Sequence, residues 1–315
     1  MKFQSAVLSA AALLFVFCGA NAASALTPAA ALAQGRVDET MAMLSTAKDA
    51  AAHNLLCRAY YAEEHVDQAI HECEAAVSSA PANSSYQLWL GRVYGMKAGH
   101  AGSFSAFGLA KKAHAAMEKA VQLDPHNADA LSDLGDYCVE APGIVGGGTD
   151  KANVLAQRLL ALDAPRGHRL LGEIAEHQKN LQQALHEYTA AATGNHAAAG
   201  FVDLGSYFKR HGNASQVLAA VRSAVAADKQ RDYSVADAAG LLVESSQEPK
   251  LAQQLYRSYL DGPSRSEDAP AFRVYTQLGH SLAADGDAAA AQKAYAAALA
   301  LAKNYAPAQK AAAGK

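Results

Sequence analysis

The sequence predicts an all-α array of helix–turn–helix units stacked along one axis, and three observations lead to that reading. A Leu-Gly pair recurs along the chain as Leu90-Gly91, Leu134-Gly135, Leu171-Gly172, Leu204-Gly205 and Leu278-Gly279, with Leu56-Cys57 and Ala239-Gly240 in the same place in two further units. Twelve positions after the second member stands a small or apolar residue (Ala69, Ala184, Val217, Ala252, Ala291), and four later another (Cys73, Tyr188, Val221, Tyr256, Tyr295). Alanine dominates and aromatic residues make up only 7%, whereas strands draw on Val, Ile and aromatic side chains. A length of 315 residues would alone suggest about two domains; an internal repeat overrides that prior.

The first 22 residues read as an export signal. Lys2 precedes an apolar run from Ala6 to Phe17, and Ala20-Asn21-Ala22 has the small-x-small form of a cleavage site. The run is shorter than the roughly 20 residues a spanning helix needs, so no transmembrane anchor is expected. Phe17 before Cys18 is unlike a lipoprotein signal. The expected product is an exported protein, periplasmic or secreted, cut near Ala22. Residues 23–49 read as an N-terminal cap, a lone second helix with Gly35-Arg36 as its turn and Val37, Met41 and Leu44 as its apolar face. The repeats follow as units near 50–83, 84–127, 128–164, 165–197, 198–232, 233–266 and 271–305. Residues 306–315 are expected to be a frayed Ala/Lys-rich tail.

Packing explains the pattern. His53, Leu56 and Tyr60 are three and four apart and share one helix face. The small residue after the Leu lets the paired helix approach, and the Ala twelve on does the same from the other side. Neither helix buries its stripe alone, so the units stack into a continuous core. The pattern resembles that of the tetratricopeptide repeat (TPR) family, W-x2-L-G-x2-Y…A-x3-F…P, over about residues 50–305. The usual Trp is replaced by His53, Gln87, Leu131, His168 and Phe201, and a closing Pro is present only as Pro81 and Pro125. The resemblance implies a right-handed superhelical solenoid of about seven units behind an N-terminal capping helix. It also implies a concave groove, lined mostly by the first helix of each unit, that binds protein or peptide segments.

Two insertions interrupt the spacing. Residues 95–109, GMKAGHAGSFSAFGL, read as an inserted loop carrying Phe104 and Phe107, expected to fold back on the groove edge near Trp89. Residues 141–149 contain a glycine run, Gly146 to Gly148. It lacks the Lys-Ser/Thr of a phosphate loop and reads as a turn.

Formal net charge is −3, without the basic field of a nucleic-acid binder. His65, His71 and Cys73 lie within nine residues, but no zinc-type spacing occurs. No nucleophile elbow is present, so neither a metal, a cofactor nor an enzymatic activity is expected. After loss of Cys18, three cysteines remain. Cys57 and Cys73 sit symmetrically about the turn of the first unit, and export into an oxidising compartment makes a disulfide between them the expectation. Cys138 is expected to be buried and unpaired.

Two stretches stand out as candidate binding surfaces. Asn54, Arg58 and Tyr61 lie beside the packing stripe of the first unit, and Trp89, the only Trp, lies off the stripe of the second with Arg92 beside it. Trp, Tyr and Arg carry much of the energy at interfaces. Arg58 and Arg92 hold equivalent positions in successive units, so an anion between them would relieve their repulsion; pairing with Glu63 or Asp136 is the structural alternative. The corresponding face of the third and fourth units is acidic, with Asp129, Asp133, Asp136, Glu140, Glu173 and Glu176. The function expected is an exported scaffold or adaptor for a protein or peptide segment. The alternative is a module for an envelope glycan or lipid, resting on Phe104 and Phe107.

Overall fold

The computed structural model describes residues 26–194 and 197–314, and of Ser103 and Phe104 the backbone only. The expected export signal lies outside the described residues. Those residues form seventeen α-helices and no strand. A short hairpin, α1 (Pro28–Ala33) and α2 (Val37–Met43), comes first. Seven pairs follow: α3 (Ala50–Ala62) with α4 (Val66–Ser79), α5 (Ser84–His100) with α6 (Ser103–Leu123), α7 (Ala128–Glu140) with α8 (Thr149–Leu162), α9 (Ala164–His177) with α10 (Leu181–Ala191), α11 (Ala197–Arg210) with α12 (Ala214–Ala227), α13 (Tyr233–Glu244) with α14 (Pro249–Leu260), and α15 (Ala271–Ala284) with α16 (Ala288–Leu301). α17 (Ala306–Ala312) closes the chain.

Local chemistry sets the helix ends. Asp49, Asn83, Asn127, Asn213 and Asp287 are N-caps whose side chains accept a hydrogen bond from the N–H three residues on, satisfying a donor the helix leaves free. Within a pair, the turn takes a left-handed residue just after the first helix: Gly35, Gly212 and Gly286, but also Glu64 (φ 66) and Lys179 (φ 62). The residues of the repeat pattern are the core. Ala69, Ala184, Val217, Ala252 and Ala291 are at most 2% exposed. A Cβ added at Gly172 would stand 3.1 Å from the ring of Tyr188 on the paired helix. Gly172→Leu is therefore expected to force α9 and α10 apart and cost about 1–3 kcal/mol, read as a lower denaturant midpoint; an unchanged midpoint would contradict this packing.

Three expectations about elements are corrected. Residues 95–109 are not a loop: α5 and α6 run on to 17 and 21 residues and leave only Ala101 and Gly102 between them. Ten extra positions shared by two helices add about 7 Å to each, and each helix shelters the other along its length. The N-terminal cap is a helical pair and not a single helix. The tail is α17, with Ala308 fully buried.

The tail is ordered because the two ends of the array meet. Leu32, Val37, Ala59 and Ala62 from the N-terminal end share one apolar cluster with Phe272, Ala298, Ala302, Tyr305 and Ala308 from the C-terminal end. Gly35 packs directly against Ala271. The Arg273 guanidinium donates to the Ala62 carbonyl at 2.7 Å, Arg58 Nε donates to Glu267 at 2.9 Å, and the Lys303 N–H donates to Asp38 at 2.9 Å. The stripe that a solenoid leaves bare at each end is thus covered by the opposite end, and the array closes into a ring.

Candidate functional site

The first helices of the second to sixth units line the interior of the ring, and charged side chains link successive first helices there. Arg92 on α5 donates to Asp133 on α7 (Nε–Oδ2 2.5 Å). Asp136, one turn along α7, accepts from Arg169 on α9 at 2.7 Å. Glu176 on α9 takes both a guanidinium nitrogen and Nε of Arg210 on α11, at 2.7 and 2.8 Å. Arg58 on α3 continues the series across the closure by pairing with Glu267.

Four of the five residues expected to bind an anion come together around Trp89. Tyr61 meets its ring edge-on at 5.5 Å between centroids, and the guanidinium carbons of Arg58 and Arg92 lie 5.4 and 4.6 Å from its centre. The premise of the anion site fails, however. Each guanidinium is matched to a carboxylate, and these are Glu267 and Asp133 rather than Glu63 or Asp136. The like-charge repulsion that an anion was expected to relieve is already relieved. Asn54 is 4% exposed with its amide nitrogen unpartnered.

The space inside the ring is a cavity of about 570 Å³ lined from α5 to the segment before α15. Its charge is unbalanced. Six aspartates (Asp129, Asp133, Asp203, Asp232, Asp237, Asp268) face three arginines (Arg92, Arg166, Arg169). Arg92 and Arg166 are paired with Asp133 and Asp129, and Arg169 with Asp136 and Glu173. Of the remaining aspartates, Asp232 caps α13 and Asp268 accepts from Ser266, while Asp203 and Asp237 have no ion-pair partner among the described residues. Asp237 is open to the interior space yet surrounded by protein. Burial, with Asp203, Asp268 and Asp232 adding to it, pushes its carboxyl up to about 7. Burial raises Asp203 to about 6, against the pull of Arg169 and Arg210. Burial and the neighbouring Asp136 also push Glu173 up, despite Arg169. Tyr233, beside Asp232, supplies an aromatic face.

The acidic stretch read from the sequence is split by this geometry. Asp129 and Asp133 line the large cavity, while Glu140 and Glu173 line a separate pocket of about 320 Å³ with Glu176, His177, Tyr188 and Arg210. Asp203, Asp237 and Arg169 were missed. A signal for two of them was present: Asp203 precedes Leu204 as Asp133 precedes Leu134, and Arg169 stands two before Leu171 as Ser132 does before Leu134. Reading equivalent positions across all units identifies the interior face.

Cys57 and Cys73 are bonded in the structure, with Cα atoms 5.1 Å apart and both residues fully buried. This removes Cys73 from any ligand set with His65 and His71, and His71 points to solvent with 79% of its side chain exposed. Cys138 is a buried free thiol. The glycine run is a turn: a 3₁₀ segment (Gly143–Val145) leads into left-handed Gly146, which packs on His114. Phe107 is 40% exposed on α6 with Lys111 Nζ 4.5 Å from its ring, and the Phe104 side chain lies outside the described residues. No helix among those residues is long and apolar enough to cross a membrane.

The chain has the tetratricopeptide-repeat fold. Among solved structures it is similar to yeast Tom70, with 13% identity, 91% of this chain and 60% of that one covered, and a TM-score of 0.52. It is also similar to TTC0263, a thermophilic TPR protein of Thermus thermophilus (22% identity, 59% and 93% covered, TM-score 0.47), and to PilF of Pseudomonas aeruginosa (18% identity, 74% and 97% covered, TM-score 0.37). No protein-family model matches the chain, and no curated protein matches its sequence.

Proposed function

We propose that the protein is an exported, non-catalytic scaffold that takes a short, positively charged segment of a partner protein into the interior of the ring. The observation that carries this reading is the acidic cavity of about 570 Å³. Its volume falls in the range of about 300–1,000 Å³ typical of binding sites. A Lys or Arg side chain entering it meets Asp203 and Asp237, whose charged forms burial disfavours and a cation would restore. The neutralised Arg58–Trp89–Arg92 stack then acts as a wall of the site, with Arg92 shared between wall and lining. Export is supported by the signal-like first 22 residues and by the Cys57–Cys73 bridge, a bond that persists in oxidising compartments.

The test is titration of short Lys/Arg-rich and Asp/Glu-rich peptides against the protein, read by the fluorescence of Trp89, the only Trp in the chain. The basic peptides should bind and the acidic ones should not. Asp203→Asn/Asp237→Asn should weaken binding by about tenfold or more, since each charge-assisted hydrogen bond contributes about 1.5–3 kcal/mol. Because both carboxyls are raised, they gain charge as pH climbs through about 6 and about 7, so affinity should rise over that interval and fall with added salt. Equal binding of both peptide classes, or a double variant that binds like the parent, would place the site elsewhere.

A further inference from the structure

Glu63, the C-cap of α3, is 1% exposed and its side chain is sealed from water. It sits at the closure of the ring, next to the main-chain contacts that Arg273 makes with Tyr61 and Ala62. Among the described residues neither carboxyl oxygen has a hydrogen-bond partner of good geometry. A buried carboxylate in that state is costly, whereas the protonated acid is far less so. The charged and titratable groups around it come from every element that meets there. Asp38 of α2 faces it from the N-terminal hairpin, and Glu64 and His65 adjoin it, with His65 Nδ1 3.4 Å away. Lys303 and the backbone of Asn304 approach from the turn between α16 and α17. Arg273 of α15 is directed to Glu64 and to the Tyr61 and Ala62 carbonyls instead. Asp38 is itself occupied, accepting from the Lys303 N–H.

We propose that this seam is a proton-controlled latch: the two ends of the chain hold together while Glu63 carries its proton and loosen when it ionises. Burial, reinforced by the negative charge of Asp38, brings the Glu63 carboxyl from an ordinary 4.5 to about 7 in the closed ring, against the weaker pull of Asn304 and Lys303. Opening the seam returns it to water and to its ordinary value. The sign follows from linkage. The closed ring binds a proton that the open form releases, so closure is tightest in acid and weakens as pH rises through the interval between the two values. The expected change in the closure equilibrium is about tenfold per pH unit between about pH 5 and 7, levelling off above about 7. The adjoining Glu64 and His65 are partly exposed, so a small separation of the ends suffices to wet Glu63. The latch acts on the closure of the ring whatever occupies the interior, and it does not depend on the identity of any ligand.

The test is hydrogen exchange followed by mass spectrometry across pH 5–8, on the intact chain, with intrinsic exchange rates corrected. Peptides covering 302–309, whose amides include the Lys303 N–H bonded to Asp38, report the seam, and peptides from α9 and α10 serve as the reference. The seam should lose protection relative to the reference by about tenfold per unit between about pH 5 and 7. Glu63→Gln, which removes the titration, should keep the seam protected at pH 8 and flatten the profile, while His65→Gln should leave the slope in place. Parallel protection of seam and reference at every pH overturns the latch. So does a Glu63→Gln variant that retains the slope, or a His65→Gln variant that alone abolishes it. If Glu63→Gln does not fold, the parent profile against its own reference segment still decides the matter.

Discussion

Replacing Phe272 with Ala is expected to cost about 3–5 kcal/mol, as for a fully buried aromatic removed from a core, and to free the N-terminal hairpin although that hairpin lies more than 200 residues away in sequence. Phe272 is 0% exposed, packs edge-on against Tyr305 at 4.8 Å between ring centroids, and shares its cluster with Leu32 and Val37. In an open solenoid each unit touches only its neighbours, so damage in the last unit stays there. In a closed ring the last unit is also the neighbour of the first. Hydrogen exchange should therefore rise in residues 28–43 of the Phe272→Ala protein. Leu131→Ala, an equally buried change in the third unit, should lower stability by about 2–5 kcal/mol without that distant effect. If both variants leave residues 28–43 equally protected, the two ends are not one cooperative unit.

Removal of the Cys57–Cys73 bridge is the second large effect expected. The bond spans 16 residues, and in a chain-entropy model closing a loop of that length contributes about 3 kcal/mol. It also ties α3 to α4 in the unit whose far end carries Glu63 and half of the seam. Cys57→Ala/Cys73→Ala should lower the unfolding free energy by about 2–4 kcal/mol, and addition of a reductant should reproduce that loss in the parent but not in the variant. Of Cys57, Cys73 and Cys138, only Cys138, buried and free, should react after denaturation without reductant. Reactive thiols at Cys57 and Cys73 under those conditions would contradict the bridge.

The helices were legible because each unit repeats the same packing instruction. Leu134, Gly135 and Ala152 declare a paired stripe without knowledge of any other unit, and the caps at Asn127 and Asp163 mark helix starts locally. The proximity of Arg58 to Arg92 followed from equivalent positions in adjacent units, a short-range inference. What could not be read was their neutralisation. Asp133 is one unit away and lies within such reasoning, but Glu267 reaches Arg58 across 209 positions, and only the accumulated curvature of seven units decides whether the ends meet. The misread segment 95–109 has a local cause. Its four glycines mimic a loop, yet two antiparallel helices that extend together supply each other's contacts and override the low propensity of glycine.

The array closes on itself around an acidic interior, and the distance between its ends tests this most directly. Spin labels at Thr46, beyond the N-terminal hairpin, and at Lys303, before α17, occupy exposed positions on the two sides of the seam. Double electron–electron resonance at about pH 5, where the closed form is most favoured by the titration of Glu63, should give one narrow distribution at short distance. A broad distribution centred at long distance, as an open superhelix produces, would contradict the ring, and with it the interior cavity and the latch.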